Sequence, residues 1–365
     1  MNELDLARRT ISEVDLEMAA LFSRRMEAVK RIAAYKKERG LPVYDPARED
    51  ELIRRNAAGI ADPLLREYYV RFLRDVMATS RAFQTRLISG TRIAYSGIPG
   101  AFAAEAVTKL FPDGEPVPCP DFASAYRAVT EGDCDCAVLP IENSTAGEVG
   151  AVCDLIFSGP LYINNILDLA VVQNLLALPG AAIGEIRTVV SHPQALAQCA
   201  PYIREHGFET REYGNTAEAA RYVAETGDPS LAAIGTAEAA KLCGLNVLAA
   251  KINEVGQNTT RFAVLSRAEN DAPGREDDNF FLVFSVKNQA GSLAEAIRII
   301  GNHGYNMRSL HSRPLKTLLW NYYFYVEGEG NIRCDNGRDM LEQLSGVCDK
   351  LKLVGSYSPG KAAAI

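Results

Sequence analysis

Asn253-Glu254-Val255-Gly256-Gln257-Asn258-Thr259-Thr260-Arg261-Phe262 joins two apolar runs, Val247-Leu248-Ala249-Ala250 before it and Ala263-Val264-Leu265 after it. Short apolar runs bounded by turn formers read as strands, so a polar loop is held at both ends. The loop gathers amides, hydroxyls and a guanidinium, groups that suit a small polar anion. The alternative is an ordinary surface turn, and the neighbouring sequence decides between them.

Candidate strands lie at residues 92–95, 137–140, 168–177, 188–191, 209–213, 232–234, 247–251 and 261–266, with helical stretches between most of them. That alternation predicts an α/β domain. Several strands run into a polar cluster that opens a helix: Tyr95-Ser96-Gly97-Ile98-Pro99-Gly100, Ile141-Glu142-Asn143-Ser144, Ser191-His192-Pro193-Gln194, Asn215-Thr216-Ala217-Glu218 and Gly235-Thr236-Ala237-Glu238. Helix N-termini favour carboxylates, and several at sheet edges predict a cleft between two lobes. His192, just before Pro193, is expected to cap its helix rather than act as an acid. Neither G-x-G-x-x-G nor a Walker loop is present, which disfavours nucleotides.

Length and charge set the frame. A chain of 365 residues predicts two or three domains, and 47% hydrophobic with 23% charged is a soluble globular composition. Residues 1–90 carry 17 Lys and Arg against 14 Asp and Glu, a net of +3; the remainder carries 22 against 32, a net of −10. An acidic bulk disfavours nucleic acid as a partner, and the mixed basic segment fits a small anion. The eight cysteines form no C-x-x-C pair and the four histidines no i, i+4 pair, so no metal site is expected. Free thiols and an N-terminus without a signal-peptide pattern predict a cytoplasmic protein. The most apolar run, 167–183, is broken by Asp168, Gln173, Asn174 and Pro179, so no membrane span is expected.

The first ninety residues predict long helices. From residue 4 there is no Pro or Gly until Gly40, and Ile11, Val14, Met18, Leu21, Ala28 and Ile32 form an a/d seam. A helix of that span is roughly 50 Å long, which implies a partner helix from a second chain. Arg25 and Lys36 are about 20° out of phase at 100° per residue, so both lie near the apolar stripe; Arg8 is about 100° off it. A cation on a seam either snorkels or meets an anion. Asp45-Pro46 and Asp62-Pro63 each read as an N-cap followed by a first helical residue. The third helix runs to about residue 87, with Ser80 and Gln84 at i, i+4 among apolar residues.

After an acidic, Pro- and Gly-containing linker at 269–279, strands at 280–286, 305–311, 319–327 and 353–357 flank helices at 293–300 and 340–351. Ser292-x-x-Glu295 reads as a capping box. This order predicts a ferredoxin-like βαββαβ unit, with 358–365 as a disordered tail.

Three resemblances attach to these residues. Arg8, Arg25, Lys36, Asp45, Arg48, Glu49, Ser80 and Gln84 resemble the active-site pattern of the all-helical chorismate mutases, over residues 1–89. The resemblance implies an intertwined dimer in which Arg8 serves the partner's site. It implies a cofactor-free rearrangement of chorismate, a dicarboxylate enol ether, to prephenate. Arg8 and Arg25 would clamp carboxylates, Lys36 and Gln84 would donate to the ether oxygen, Arg48 would support the site and Glu49 would take the substrate hydroxyl.

Gly97-Ile98-Pro99-Gly100-Ala101-Phe102, Glu142-Asn143-Ser144, Ser191-His192-Pro193-Gln194 with Gln198 and Cys199, and Asn258-x-Thr260-Arg261-Phe262 resemble prephenate dehydratases over residues 91–268, in the family's order. That implies a two-lobed, periplasmic-binding-protein-like α/β fold with the site in the cleft. The implied reaction removes water and carbon dioxide from prephenate to give phenylpyruvate. Thr260 is the implied catalytic hydroxyl, with Glu142, Asn143, Ser144, Ser191, Gln198, Asn258 and Phe262 in the prephenate site. Arg261 either binds a carboxylate or braces the loop.

Residues 279–357 resemble ACT domains, an amino-acid-sensing module. His311-Ser312-Arg313-Pro314 stands where that family commonly has Glu-Ser-Arg-Pro, and Ala290-Gly291-Ser292-Leu293 replaces Pro-Gly-Ala-Leu. The implied effector is L-phenylalanine, held by Gly291, Ser292, Leu293, His311, Ser312, Arg313 and Pro314. The missing acidic residue predicts altered affinity. Together the resemblances imply a bifunctional enzyme of phenylalanine biosynthesis, a homodimer or higher oligomer without cofactor. The alternatives are a dehydratase whose helices only dimerise it and a non-catalytic aromatic-acid sensor.

Overall fold

The computed structural model describes residues 2–253, 258–269, 276–315 and 321–359. The expectations for 254–257, for most of the linker, for Leu319 and Trp320 and for the tail from Gly360 lie outside the described residues. The chain forms two compact units, Met1–Arg92 and Ile93–Ile365.

The first unit is three helices, α1 (Glu3–Arg39), α2 (Pro46–Ala57) and α3 (Pro63–Ser89). Gly40 ends α1 in the left-handed region at φ 62°, a conformation that costs glycine little. Asp45 and Asp62 accept from the backbone N–H groups of Arg48 and Leu64, as N-caps ahead of Pro46 and Pro63. α1 packs along α3, burying Val29, Ala33, Leu73 and Met77. Within the three-helix unit the expected seam lies uncovered: Ile11, Val14, Met18, Leu21 and Ile32 are 43–60% exposed.

The second unit runs β1 (Arg92–Ser96), α4 (Phe102–Leu110), β2 (Glu115–Cys119), α5 (Phe122–Thr130), β3 (Cys136–Asn143), β4 (Gly147–Glu148), α6 (Gly150–Ser158), β5 (Tyr162–Ala170), β6 (Asn174–Ala177), β7 (Thr188–Ser191), α7 (Pro193–Gln198), α8 (Ala200–His206), β8 (Glu209–Glu212), α9 (Thr216–Thr226), β9 (Leu231–Gly235), α10 (Ala237–Cys243), β10 (Asn246–Ala249) and β11 (Thr259–Ser266). It closes with β12 (Asn279–Ser285), α11 (Ser292–Asn302), β13 (Asn306–Pro314), β14 (Tyr322–Glu329), α12 (Asp335–Val347) and β15 (Lys350–Tyr357).

Two sheets make two lobes, ordered β2-β1-β3-β11-β5 with β4 on β3, and β10-β6-β9-β7-β8. The chain crosses between them twice, after β5 and after β10. The expected single strand at 168–177 is therefore two strands in different sheets. Between them Val171 N donates to Asn258 O at 2.8 Å and Gln173 O accepts from Ile252 N at 2.9 Å, so the two crossings pair with each other. Strand β2 went unpredicted because Pro116 and Pro118 mask it; at a sheet edge they break no ladder.

The third sheet, β13-β14-β12-β15, is antiparallel throughout. One face packs on α11 and α12 through Phe280, Leu282, Phe284, Ile300, Met340 and Leu344. The other shares a core with the first lobe, where Phe281, Val283, Tyr325 and Val354 meet Ile141, Val152, Ile156 and Ile163. A Cβ at Gly355 would lie 1.9 Å from the Ile163 carbonyl oxygen, so only glycine admits this backbone approach. Three local expectations are corrected. Ser292 is not a cap: Gly291 is, without a side-chain cap bond, and Glu295 pairs with Arg298. Helix α12 ends at Val347, where Cys348 turns extended and Leu351 joins β15. Ser358 is buried and accepts from Asp278 N at 3.1 Å rather than trailing into a disordered tail. Among the described residues no helix is long and apolar enough to cross a membrane.

Candidate active sites

In the helical unit, α1 and α3 bring Arg25, Ser80 and Gln84 together. Arg25 donates to Ser80 Oγ, which in turn donates to Val76 O at 2.8 Å. Burial lowers the Arg25 pKa, partly offset by the charge of Glu49. Gln84 is buried, and its Oε1 has no hydrogen-bond partner among the described residues. An orphaned buried acceptor is costly, and a donor from a ligand or an ordered water relieves it. Lys36 Nζ donates to Val43 O at 2.6 Å, leaving two of its three N–H groups. Glu49 pairs with Arg81, a cation the sequence reading passed over. Arg48 turns to Glu51 at 3.0 Å, and Asp45 is occupied as an N-cap. Arg8 is exposed and, 17 positions from Arg25, lies about 25 Å up α1. Among the described residues it pairs with no member of this set.

In the second unit a cavity of about 180 Å³ opens between the lobes. The first lobe contributes Phe102, Asn143 and Thr260; the second His192, Gln194, Gln198, Asn215 and Thr216; the crossing contributes Val171 and Gln173. Strand register explains the pairing of the central two, because Thr260 stands opposite Asn143 on β3. Asn143 Nδ2 donates to Thr260 Oγ1 at 2.9 Å and to Asn258 Oδ1 at 2.8 Å. His192 caps α7, accepting from Gln194 N at 3.2 Å. Gln173 Nε2 reaches Gln198 Oε1 at 3.4 Å, while Gln173 Oε1 and Asn258 Nδ2 are buried without partners among the described residues. Apart from histidine the polar lining is amides and hydroxyls, which orient an anion without competing charge. Gln173 was missed because it reads as a break in an apolar run; Thr216 and Asn215 read only as a cap.

The structure separates the other residues expected here. Ser191 is fully buried and donates to Ile234 O at 2.8 Å. Ser144 Oγ accepts from Thr259 N at 3.0 Å, outside the cavity. Phe262 belongs to the core of the first lobe. Burial pushes the Cys199 thiol up to about 12, unsuited to a nucleophile. Arg261 and Glu142 face away from the cleft, because successive strand residues alternate. Arg261 meets Glu327 of β14 bidentately, at 2.5 and 2.9 Å. Of the two readings of Arg261, the geometry is that of a brace.

Of the residues implied for an effector, Gly291-Ser292-Leu293 starts α11, and His311-Ser312-Arg313-Pro314 lies on the edge strand β13. Arg313 is engaged by Asp154 at 3.0 Å and Glu148 at 3.0 Å, with His311 3.6 Å from Glu148. The Arg313 guanidinium lies over Gly150, at the start of α6, where a Cβ would displace it.

Comparison with known proteins gives both units a family. Residues 93–270 match the prephenate dehydratase family model, and residues 7–85 match chorismate mutase type II. The bifunctional chorismate mutase/prephenate dehydratase of Neisseria gonorrhoeae is 34% identical over 96% of this chain and 95% of its own. That of Escherichia coli K12 is 29% identical over 98% and 96%. The crystal structure of prephenate dehydratase in complex with L-Phe from Arthrobacter aurescens, 28% identical, matches with a TM-score of 0.69 over 75% of this chain and 92% of that one. Matched nearly end to end by a relative carrying both activities, the chain belongs to the bifunctional chorismate mutase/prephenate dehydratases of phenylalanine biosynthesis.

Proposed function

We propose that the two reactions occur at two separate sites, the mutase on Arg25, Lys36, Ser80 and Gln84 and the dehydratase on Asn143, Gln173, Gln198 and Thr260. The observation that carries this reading is that the two sets assemble separately: Arg25 reaches Ser80 in the helical unit, and Asn143 reaches Thr260 at 2.9 Å in the cavity of the second unit. In the mutase, Arg25 binds a carboxylate of the compact chorismate conformer, and Lys36 and Gln84 donate to the ether oxygen as its bond breaks. Glu49, held by Arg81, accepts from the substrate hydroxyl, and Arg48 stays a support. In the dehydratase, Thr260 donates to the leaving hydroxyl of prephenate, with Asn143 fixing the threonine rotamer. Aromatisation drives the loss of water and carbon dioxide. Neither reaction calls for a cofactor.

Arg8 completes a partner's mutase site. The exposed seam of α1 supports a homodimer, since about 50 Å of helix with an apolar stripe needs covering. The C-terminal βαββαβ unit is an ACT domain with ferredoxin-like strand order, and L-phenylalanine is its effector. The phenylalanine complex of the Arthrobacter aurescens structure supports that assignment. The cytoplasm is the compartment that suits eight free cysteines. The deciding experiment supplies the purified chain with chorismate alone and follows products over time. Phenylpyruvate is expected. Prephenate accumulating without phenylpyruvate would remove the dehydratase assignment, and untouched chorismate would remove the mutase assignment. Calorimetry with L-phenylalanine tests the effector, and absence of heat would count against it.

A further inference from the structure

Thr260 and Arg261 are consecutive on β11 and point to opposite faces of one sheet. The Arg261 side chain is 17% exposed. It meets Glu327 Oε2 at 2.5 Å and Oε1 at 2.9 Å, Tyr357 Oη at 2.9 Å, Asp168 at 3.1 Å and Glu142 at 3.7 Å. Asp168 and Glu142 come from the strands flanking β11, whereas Glu327 and Tyr357 come from β14 and β15 of the C-terminal sheet. Tyr357 also donates to Glu327 at 2.5 Å. The Glu327 side chain is 1% exposed, and its charge is met by Arg261 and, at 3.7 Å, by Arg308. The β11–β3 register shifts between Arg261 and Phe262. The extra residue is Ile141 of β3, between Glu142 opposite Arg261 and Pro140 opposite Phe262, one position from the Thr260–Asn143 pair.

We propose that Arg261 is a positioning residue for the dehydratase step: clamped by Glu327 and Tyr357, it fixes the stretch of β11 beside the β3 bulge and so aims Thr260 Oγ1 at Asn143 and the cleft. The C-terminal unit thereby supplies a part that the dehydratase site needs. This rests on the reading of Thr260 as the reacting hydroxyl. Loosening the clamp leaves the cleft's own binding groups, Gln173, Gln198 and His192, in place. Its effect therefore falls on kcat and spares KM.

The test uses the full chain carrying Glu327→Gln, Tyr357→Phe, Arg261→Lys or Thr260→Ala. Each preparation is assayed with prephenate for the dehydratase and with chorismate for the mutase. Glu327→Gln is expected to lower dehydratase kcat about tenfold with KM held within about twofold, as misorientation does. Tyr357→Phe, which removes only a hydroxyl, is expected to cost about threefold in kcat. Arg261→Lys keeps the charge and loses the fork, and combined with Glu327→Gln it should be no slower than the slower single variant, because both break one clamp. Mutase rates stay at the unmodified level. Normal dehydratase kcat in Glu327→Gln and Tyr357→Phe beside an inactive Thr260→Ala overturns the positioning role and leaves the Thr260 reading standing. A change confined to KM overturns it equally. An active Thr260→Ala removes the reading and the proposal together. Should Glu327→Gln fail to fold, Tyr357→Phe decides.

Discussion

Asn143 Nδ2 lies 2.9 Å from Thr260 Oγ1, and the same amide is anchored on its other side by Asn258 Oδ1 at 2.8 Å. The amide leaves the threonine O–H free to turn toward a ligand, since the oxygen is already an acceptor. Thr260→Val keeps the shape and removes the donor. Dehydratase kcat is expected to fall about 10²-fold or more, the size of a lost proton donor. Prephenate binding, followed by calorimetry, should persist. Loss of binding in step with turnover would show that the hydroxyl holds substrate and does not act on it.

Gln173 separates function from stability. Its Oε1 is buried without a partner among the described residues, an arrangement that costs the empty protein free energy. Gln173→Leu should therefore leave the melting temperature unchanged or higher. It should raise the KM for prephenate about fivefold, the worth of one neutral hydrogen bond, because an amide oxygen can accept from the substrate hydroxyl but not from a carboxylate. A lower melting temperature with an unchanged KM would make Gln173 a structural residue.

Arg8 and Arg25 lie too far apart on α1 to share a site within one chain, which makes the mutase testable by mixing. Arg8→Ala and Arg25→Ala homodimers should each lose mutase activity by roughly 10²-fold, the cost of a missing carboxylate clamp. Unfolded together and refolded, they should recover about a quarter of the unmodified rate, because a twofold pair of chains restores one site in each mixed dimer. Recovery absent from the mixture, with dimers present by ultracentrifugation, would place Arg8 outside the site.

Glu327 sets an acid limit. Burial pushes its carboxyl up, but hydrogen bonds from Arg261 and Tyr357 and the charges of Arg261 and Arg308 outweigh burial and hold its pKa below the ordinary value. A depressed carboxyl pKa contributes stability that is fully present above the unfolded value, about 4.3, and is lost as pH falls through the folded value. The melting temperature of the unmodified chain should exceed that of Glu327→Gln near neutrality. The gap should close as pH drops below the ordinary carboxylate range. A gap that persists to the lowest pH at which the chain stays folded would mean that Glu327 is not the titrating group.

Much of this architecture was legible before any coordinates. Asp45-Pro46, Asp62-Pro63 and Gly40 mark helix ends by chemistry local to a few residues, and the three helices lie where those marks put them. Strand β11 and the helix openings after β1, β7 and β8 were legible for the same reason. What could not be read is which of two neighbours faces the cleft. Thr260 and Arg261 look equally suited to an anion, and only the ladder with β3 and β5 assigns one to the substrate side and one to the C-terminal sheet. Glu327, near the end of a strand, looks like a surface residue; its burial is created by a chain segment 66 residues away. Gln173 and the paired prolines of β2 fail in the opposite sense, interrupting a local pattern at places where the tertiary structure supplies a reason.

The alternation on β11 has a consequence for how this stretch tolerates change in length. A substitution at Thr260 or Arg261 removes one group and spares the other. Inserting a single residue between Arg261 and Phe262, with the buried remainder of β11 held in register, would move Arg261 to the cleft-facing position and take Thr260 off it. Chemistry and anchorage would fail in one event. Viable variation in this segment is thus expected as replacement at fixed spacing, and length changes are expected only before Asn258.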